Sequence, residues 1–580
     1  MVLRIALLAA ALAIPAATQA PAAGKAVKPG SAQAGGDKAG DAAQDPVLAA
    51  DVQAFSAWLE DYKKGAFRLT KEGRTDEEAV ARIDAMMHKL AAWNTLTAAQ
   101  LLFAAAAAEP TPPGNRTATE LIDFRRELQP WRIVDLAAKN LRTMTGDGIA
   151  PWLLGMLKAK GIRGKDGNQD QRNAGVALRI LGGHPSVEAQ LAVLEACLAM
   201  PSELRVKAIA AAAENPTLEL LPTLLELLRD KEPNVRVAAA AAIGEALRPH
   251  VDETAGKEAA GDVLASRDAA FAKLDELLQK DKVWQVRNAA AFALANTRCK
   301  AAIPLLIRGL EAELGRKKDP WAMDVRLHRL LEGMTGQSVV RGSIEPWKSF
   351  WAKEGPSFRV KPKAAPGEKS PDANRYERFF QIDVESDRVL FVLDFSGSMA
   401  EPITLQGGTT AAGGAGTTTT KAALVVAELE KLVLSLPDGA MVNMVVFSDE
   451  VRVWRQEGNR PTLVKLDDDS RDDLVANFLR NLRPSGATNL YGALEKALEF
   501  TGRGLHDKYY ETAFDTLYVI SDGAPTAGEV TDKEEIRRRV RETNKLRRIA
   551  IHCITFGDKN DTDFLRPMAE ENGGRHVHIE

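Results

Sequence analysis

The stretch Arg388 to Met399 reads RVLFVLDFSGSM, and the fold turns on how it is read. Val389 to Leu393 is an unbroken apolar run. Such a run suits a central parallel strand buried on both faces, although a buried helix segment looks the same by pattern alone. The run stops at Asp394, and Ser396 and Ser398 follow at alternate positions. Three oxygen donors then stand on a turn at the end of a strand. In open α/β sheets ligands bind just beyond the carboxyl ends of the strands. Taken alone, the turn is equally well a Ser/Gly loop with a capping aspartate.

Two later segments extend the pattern. Gly486-Ala487-Thr488-Asn489-Leu490 precedes an apolar helix, and Leu517-Tyr518-Val519-Ile520-Ser521-Asp522-Gly523 is a second apolar run closed by an acid. The set Asp394, Ser396, Ser398, Thr488 and Asp522 resembles the metal-ion-dependent adhesion site of the von Willebrand factor A family. The resemblance covers residues 376–580, with all five ligand positions in order. It implies a divalent cation bound by these five residues, an acidic side chain (Asp or Glu) of a protein partner as the added ligand, and adhesion instead of catalysis. The donor chemistry agrees: carboxylates and hydroxyls without Cys or His suit Mg²⁺ first, with Mn²⁺ or Ca²⁺ as alternatives.

The chain has 580 residues, 45% of them hydrophobic, and a net charge of −3. That length suggests several domains, and that charge offers no footprint for nucleic acid. Residues 1–22 read as a secretory signal peptide, with Arg4, an apolar segment Ile5 to Ile14 and Ala20-Pro21-Ala22 at the cleavage site. A secreted or periplasmic location is therefore expected. No later apolar run is long enough for a transmembrane segment in the mature chain. Three cysteines, Cys197, Cys299 and Cys553, sit in apolar segments and read as buried thiols.

Residues 23–46 form a flexible Ala/Gly/Pro/Lys linker, and 47–354 are patterned as short helices. Arg172, Arg205, Arg236 and Arg287 each open an alanine-rich helix, at spacings of 33, 31 and 51 residues. The long interval holds the charged stretch Pro249 to Ser266. Asn234 to Ala239 and Trp284 to Ala290 are the clearest units, and they resemble HEAT repeats, in which helix pairs stack into a solenoid. The recurrent arginine is expected to bond inside the array. Arg326 starts a degenerate last unit, and Pro346-Trp347 belongs to a terminal cap.

Residues 355–375 read as a second linker. A C-terminal domain, 376–580, then alternates strands and helices, which predicts a doubly wound parallel sheet. The whole is expected to be a multidomain chain: an all-α HEAT-like solenoid followed by an α/β von Willebrand factor A-like domain. A low-complexity insertion at 400–420 is expected to be disordered. Capping boxes are expected at Ser470/Asp473 and Thr531/Glu534. Asp467-Asp468-Asp469 lacks the EF-hand pattern, His576 and His578 alone make a poor metal site, and no hydrolase motif is present. The expected function is an extracytoplasmic adhesion scaffold without enzymatic activity. The alternative is an accessory subunit of an AAA+ ATPase or chelatase-type machine, which the export signal disfavours.

Overall fold

Helices occupy the first part of the chain because alanine- and leucine-rich segments there repeat with helical period and are punctuated by Pro, Gly and capping residues. The computed structural model describes residues 46–580 apart from 72–73, 113, 165–167, 183, 185, 199, 257–258, 317–322, 338, 340–342, 361–377, 381, 385, 387, 405–417, 458–459, 499–513, 557–562 and 580. The expected signal peptide lies outside the described residues. So do nearly all of the first linker, most of the second and the middle of the insertion. The described residues from Ala50 onward form one compact unit.

Side chains from Phe55 to Val360 share one continuous apolar core across the helical array. Small residues permit the closest crossings. A Cβ at Gly244 would lie 2.9 Å from Ala293 Cα, so the helices Pro233–Val251 and Trp284–Asn296 pack almost backbone to backbone. The recurrent arginines make a ladder within this array. Arg205 pairs with Asp230. Arg236 grips Asp281 through two nitrogens at 2.9 and 3.0 Å and also donates to the Asp230 carbonyl at 2.9 Å. Arg287 is fully buried, bonds Glu313 at 2.6 Å and donates to the Asp281 carbonyl at 3.0 Å. Arg236 and Arg287 thus tie their own helices to the preceding turn and to an acid further on, whereas Arg172, at the start of the series, is half exposed and lies 3.4 Å from Glu109, earlier in the chain. At the end of the array Trp347 is buried and donates to His328 Nδ1 at 2.9 Å.

Arg326 departs from the ladder. It donates to the backbone carbonyls of Arg548 at 2.7 Å and Asp515 at 3.1 Å, both in the C-terminal domain.

The main sheet of that domain has seven strands: β1 Arg388–Asp394, β2 Met441–Phe447, β3 Val451–Val453, β4 Val464–Lys465, β5 Thr516–Ser521, β6 Ala550–Phe556 and β7 His576–Ile579. The order is β4-β2-β1-β5-β6-β7, with β3 also on β2. Strands β2, β1, β5, β6 and β7 run parallel, and β3 and β4 join β2 antiparallel. Helix Lys421–Ser435 covers one face. Helices Leu490–Leu498, Lys533–Arg547 and Leu565–Glu571 contribute to the core on the other, which also includes Trp131 of the array. The chain leaves β1 toward β2 on one side and returns to β5 on the other. The crevice between β1 and β5 is therefore the topological switch point, where such sheets bind ligands.

Three local expectations are corrected. The ends of the 400–420 insertion are ordered, with Pro402–Thr404 pairing antiparallel to Thr418–Thr420. The first capping box is Asp467 with Ser470, not Ser470 with Asp473, and the helix it opens relaxes into a π-helical stretch at Asp473–Phe478. The later cap is Asp532, whose side chain accepts from the Glu535 N–H. In both places nearby polar residues offer rival caps, and the residues that take the role, Asp467 and Asp532, have extended backbone.

Candidate metal centre

Strand β1 delivers Asp394 to the switch point, and no solvent reaches it. Its Oδ1 accepts the Ser396 N–H at 2.8 Å, which closes the turn. Its Oδ2 accepts the Ser521 hydroxyl at 2.7 Å. Burial pushes the Asp394 carboxyl up to about 6; the bonds from Ser521 and Ser396 oppose that rise, and the charge of Asp522 adds to it. Ser396 and Ser398 stand with hydroxyl oxygens 3.2 Å apart. Ser398 donates to Asp522 Oδ1 at 2.8 Å. Four of the five residues expected from the sequence are thereby brought together around the ends of β1 and β5.

Thr488 stands on the neighbouring loop. That loop is stitched to the β1 turn by Gly397 N–H to Gly486 O at 3.0 Å and Ser485 N–H to Phe395 O at 2.9 Å. The Thr488 N–H donates to Thr526 Oγ1 at 2.9 Å, and its carbonyl accepts the Thr526 N–H at 2.9 Å, joining the loop to the segment after Asp522. Among the described contacts, the Thr488 hydroxyl makes no direct bond to the other four side chains. Gly486 makes this approach possible: its φ is +75°, and a Cβ there would fall 2.0 Å from Asp449 Oδ1.

The donor set fits a hard divalent cation. It consists of two carboxylates and serine hydroxyls, without sulfur or nitrogen. Two ligands at right angles around Mg²⁺ stand about 3 Å apart, given metal–oxygen distances of about 2.1 Å. The serine separation matches that value. Among the described residues no group of three or more His, Cys, Asp or Glu side chains is placed to hold a metal, here or elsewhere, so this candidate depends on its hydroxyls as much as on its two carboxylates. A cation already sits in the cluster: Lys421 Nζ lies 2.8 Å from Asp522 Oδ2 and 2.7 Å from Glu401 Oε2. Burial acts to lower the Lys421 pKa, but its bonds to Asp522 and Glu401 outweigh that and hold it above the usual value.

Residues 414–577 match the family model of the von Willebrand factor type A domain, and residues 187–295 match that of HEAT repeats. The chain joins HEAT repeats to a von Willebrand factor type A domain. Curated relatives include inter-alpha-trypsin inhibitor heavy chain H1 of Mesocricetus auratus, 28% identical over 207 residues, or 35% of this chain and 20% of the relative. Heavy chain 4 of Mus musculus is 29% identical over 190 residues, 33% of this chain and 17% of its own length. The chain thus spans about a fifth of the length of these relatives. A solved von Willebrand factor type A structure from Catenulispora acidiphila aligns with 34% of this chain and 39% of its own at 18% identity, with a TM-score of 0.24.

Around the von Willebrand factor type A domain, four site residues escaped the sequence reading: Ser521, Thr526, Glu401 and Lys421. Ser521 is a fully buried hydroxyl at the end of a strand that is buried throughout. Lys421 is the first residue of helix Lys421–Ser435, where the helix dipole disfavours a cation. Both anomalies are visible in the sequence. Glu401 and Thr526 carry no comparable mark. The helical array also touches this domain near the site: Arg125 meets Glu529 at 3.5 Å, Arg126 approaches the Gly528 carbonyl at 3.5 Å, and Arg132 pairs with Asp532.

Proposed function

We propose that this chain is an extracytoplasmic protein-binding scaffold. Its von Willebrand factor type A domain engages an acidic group of a partner through a divalent cation, Mg²⁺ in the first place. The single observation that carries this reading is the convergence of Asp394, Ser396, Ser398 and Asp522 at the switch point of the sheet. Asp394 and Asp522 supply the negative charge. Ser396 and Ser398 present neutral oxygens at a spacing suited to adjacent ligands, and Thr488 waits on the facing loop. Ser521 holds Asp394 in orientation. When bound, the ion would supply an electrophilic position for a carboxylate of the partner. Relatives named as inhibitor heavy chains support a binding role over an enzymatic one. Among the described residues no helix is long and apolar enough to cross a membrane. The exported location is proposed from residues 1–22 alone.

The test is affinity capture from the extracytoplasmic fraction on the immobilised full chain, in Mg²⁺ and in EDTA, with Ser398→Ala as control. A partner held in Mg²⁺ and lost both in EDTA and with the variant supports the reading. A partner held equally in all three contradicts it.

A further inference from the structure

We infer that Lys421 is a tethered cation that occupies Asp522 in the metal-free protein and sets the affinity of the site for divalent ions. This rests on the metal-site reading above.

The placement of Lys421 runs against local preference. It is the first residue of a helix of 15 residues, beside the positive end of the dipole, after the cap in which Thr420 accepts the Ala423 N–H. Its side chain is only 7% exposed, so the ammonium has little water. A buried cation in such a position persists only if anions hold it. Asp522, whose side chain is wholly buried, lies at 2.8 Å, and Glu401 at 2.7 Å. The ammonium also lies 3.5 Å from the Ser398 carbonyl. It therefore touches one site carboxylate and the backbone of one site hydroxyl residue.

The base of the insertion sets this arrangement. The short strands Pro402–Thr404 and Thr418–Thr420 pair with Pro402 opposite Thr420, and the Lys421 N–H donates to the Glu401 carbonyl at 3.1 Å. Whatever runs between the two strands, its ends bring Glu401 and Lys421 together at the rim. Glu401 is 63% exposed while Asp522 is not. The ammonium thus has an inner anion that belongs to the site and an outer one that does not. A divalent ion taking Asp522 leaves the ammonium to Glu401. Without the amine, the two carboxylates face the ion with their full charge. Without Glu401, the ammonium has Asp522 as its remaining carboxylate, and the ion must compete harder.

Calorimetric titration of Mg²⁺ into the full-length protein, with melting curves in EDTA and in Mg²⁺, tests this. Lys421→Met is expected to melt lower in EDTA, because Asp522 loses its partner, yet to bind Mg²⁺ on the order of tenfold more tightly, a unit charge having left the site. Its gain in melting temperature on adding Mg²⁺ should exceed that of wild type. Glu401→Gln, altered at an exposed rim position, should fold normally and bind Mg²⁺ more weakly than wild type. Tight binding by Lys421→Met where wild type binds none also supports the inference. If wild type binds Mg²⁺ and Lys421→Met binds equally or less tightly, the inference is overturned while the metal site stands. If Lys421→Met does not fold, Glu401→Gln decides, and unchanged affinity there overturns it. No Mg²⁺ binding by any of the three overturns the metal site and the inference together.

Discussion

Arg132 of the helical array is ion-paired with Asp532, the residue that caps the helix following the Asp522 loop. Asp532 thus has two duties, since its carboxylate also accepts the Glu535 N–H at 2.8 Å. The segment between Asp522 and Asp532 is therefore held from both sides. Thr526 bonds Thr488 within the domain, and Arg126 and Arg132 approach from the array. The array supports a loop of the candidate site.

Arg132→Ala is expected to cost about 1–2 kcal/mol, between an exposed and a buried ion pair, because both side chains are partly covered. Asp532→Ala should cost about 1 kcal/mol more, since the cap goes with the pair. Urea unfolding measures both. Hydrogen exchange in Arg132→Ala should accelerate across 523–532 before it does elsewhere. Equal losses in the two variants, with no local change in exchange, would mean that the array does not hold this loop.

Arg287 and Glu313 give a second expectation, this one within the array. Arg287→Ala removes a guanidinium with no solvent contact and leaves a buried carboxylate, a loss of about 3–5 kcal/mol. Arg316, 3.1 Å from Glu313, keeps the figure toward the lower end. The pair Arg287→Met with Glu313→Leu should recover part of that stability, because no carboxylate is left buried without its partner, although Arg316 loses its acid and keeps the Gln279 carbonyl. Thermal melts of the single and double variants decide it, and a double variant no better than the single would refute the account.

His552 predicts a pH dependence. It lies on β6, stacks on Tyr518 with ring centroids 4.8 Å apart, and its Nδ1 accepts the Arg575 N–H at 3.1 Å. Burial pushes its pKa down to about 3, and the charges of Arg329 and Arg575 add to the shift. The unfolded imidazole takes up a proton near its ordinary value of about 6.5, which the folded one refuses until about 3. The unfolded chain therefore binds more protons across that window. Stability from this group is full above about 6.5 and falls as pH drops, by up to about 1.4 kcal/mol per pH unit. Urea midpoints at pH 7 and pH 5 should diverge in wild type and lie closer together in His552→Phe, which is expected to be less stable at pH 7 through loss of the acceptor. An unchanged gap would show that His552 does not control this slope.

Much of this was legible in the residues themselves. The apolar runs ending in Asp394 and in Ser521-Asp522 placed two central strands and their carboxyl ends, because a strand buried on both faces admits few polar residues. The arginine spacing marked the ladder through Arg205, Arg236 and Arg287, since each repeat needs the same bond. The docking of the array was hidden. Trp131, Arg132 and Arg326 follow the helical pattern like their neighbours, and only the folded chain shows Trp131 beneath Arg539, Arg132 at Asp532, and Arg326 at the carbonyls of Asp515 and Arg548. The role of Lys421 is hidden for a different reason: a set of oxygen donors for a cation does not reveal a cation supplied by the chain. The ends of the insertion carry little signal because Pro402–Thr404 and Thr418–Thr420 are each too short to show a period, and their pairing joins residues 14 positions apart, as between Thr404 and Thr418.

The central claim is that Asp394 is a ligand to a divalent ion, and Mg²⁺ titration calorimetry on the full-length protein tests it most directly. Asp394→Ala removes one of two carboxylates at the site, and the remaining hydroxyls cannot replace its charge. The predicted result is an affinity lowered by more than about 100-fold, beyond what loss of an outer-shell group costs. In EDTA the variant should stay within about 1 kcal/mol of wild type, since it loses a buried charge as well as the acceptor for Ser521. Equal Mg²⁺ affinity in wild type and Asp394→Ala would contradict the claim, and with it the metal-dependent binding role.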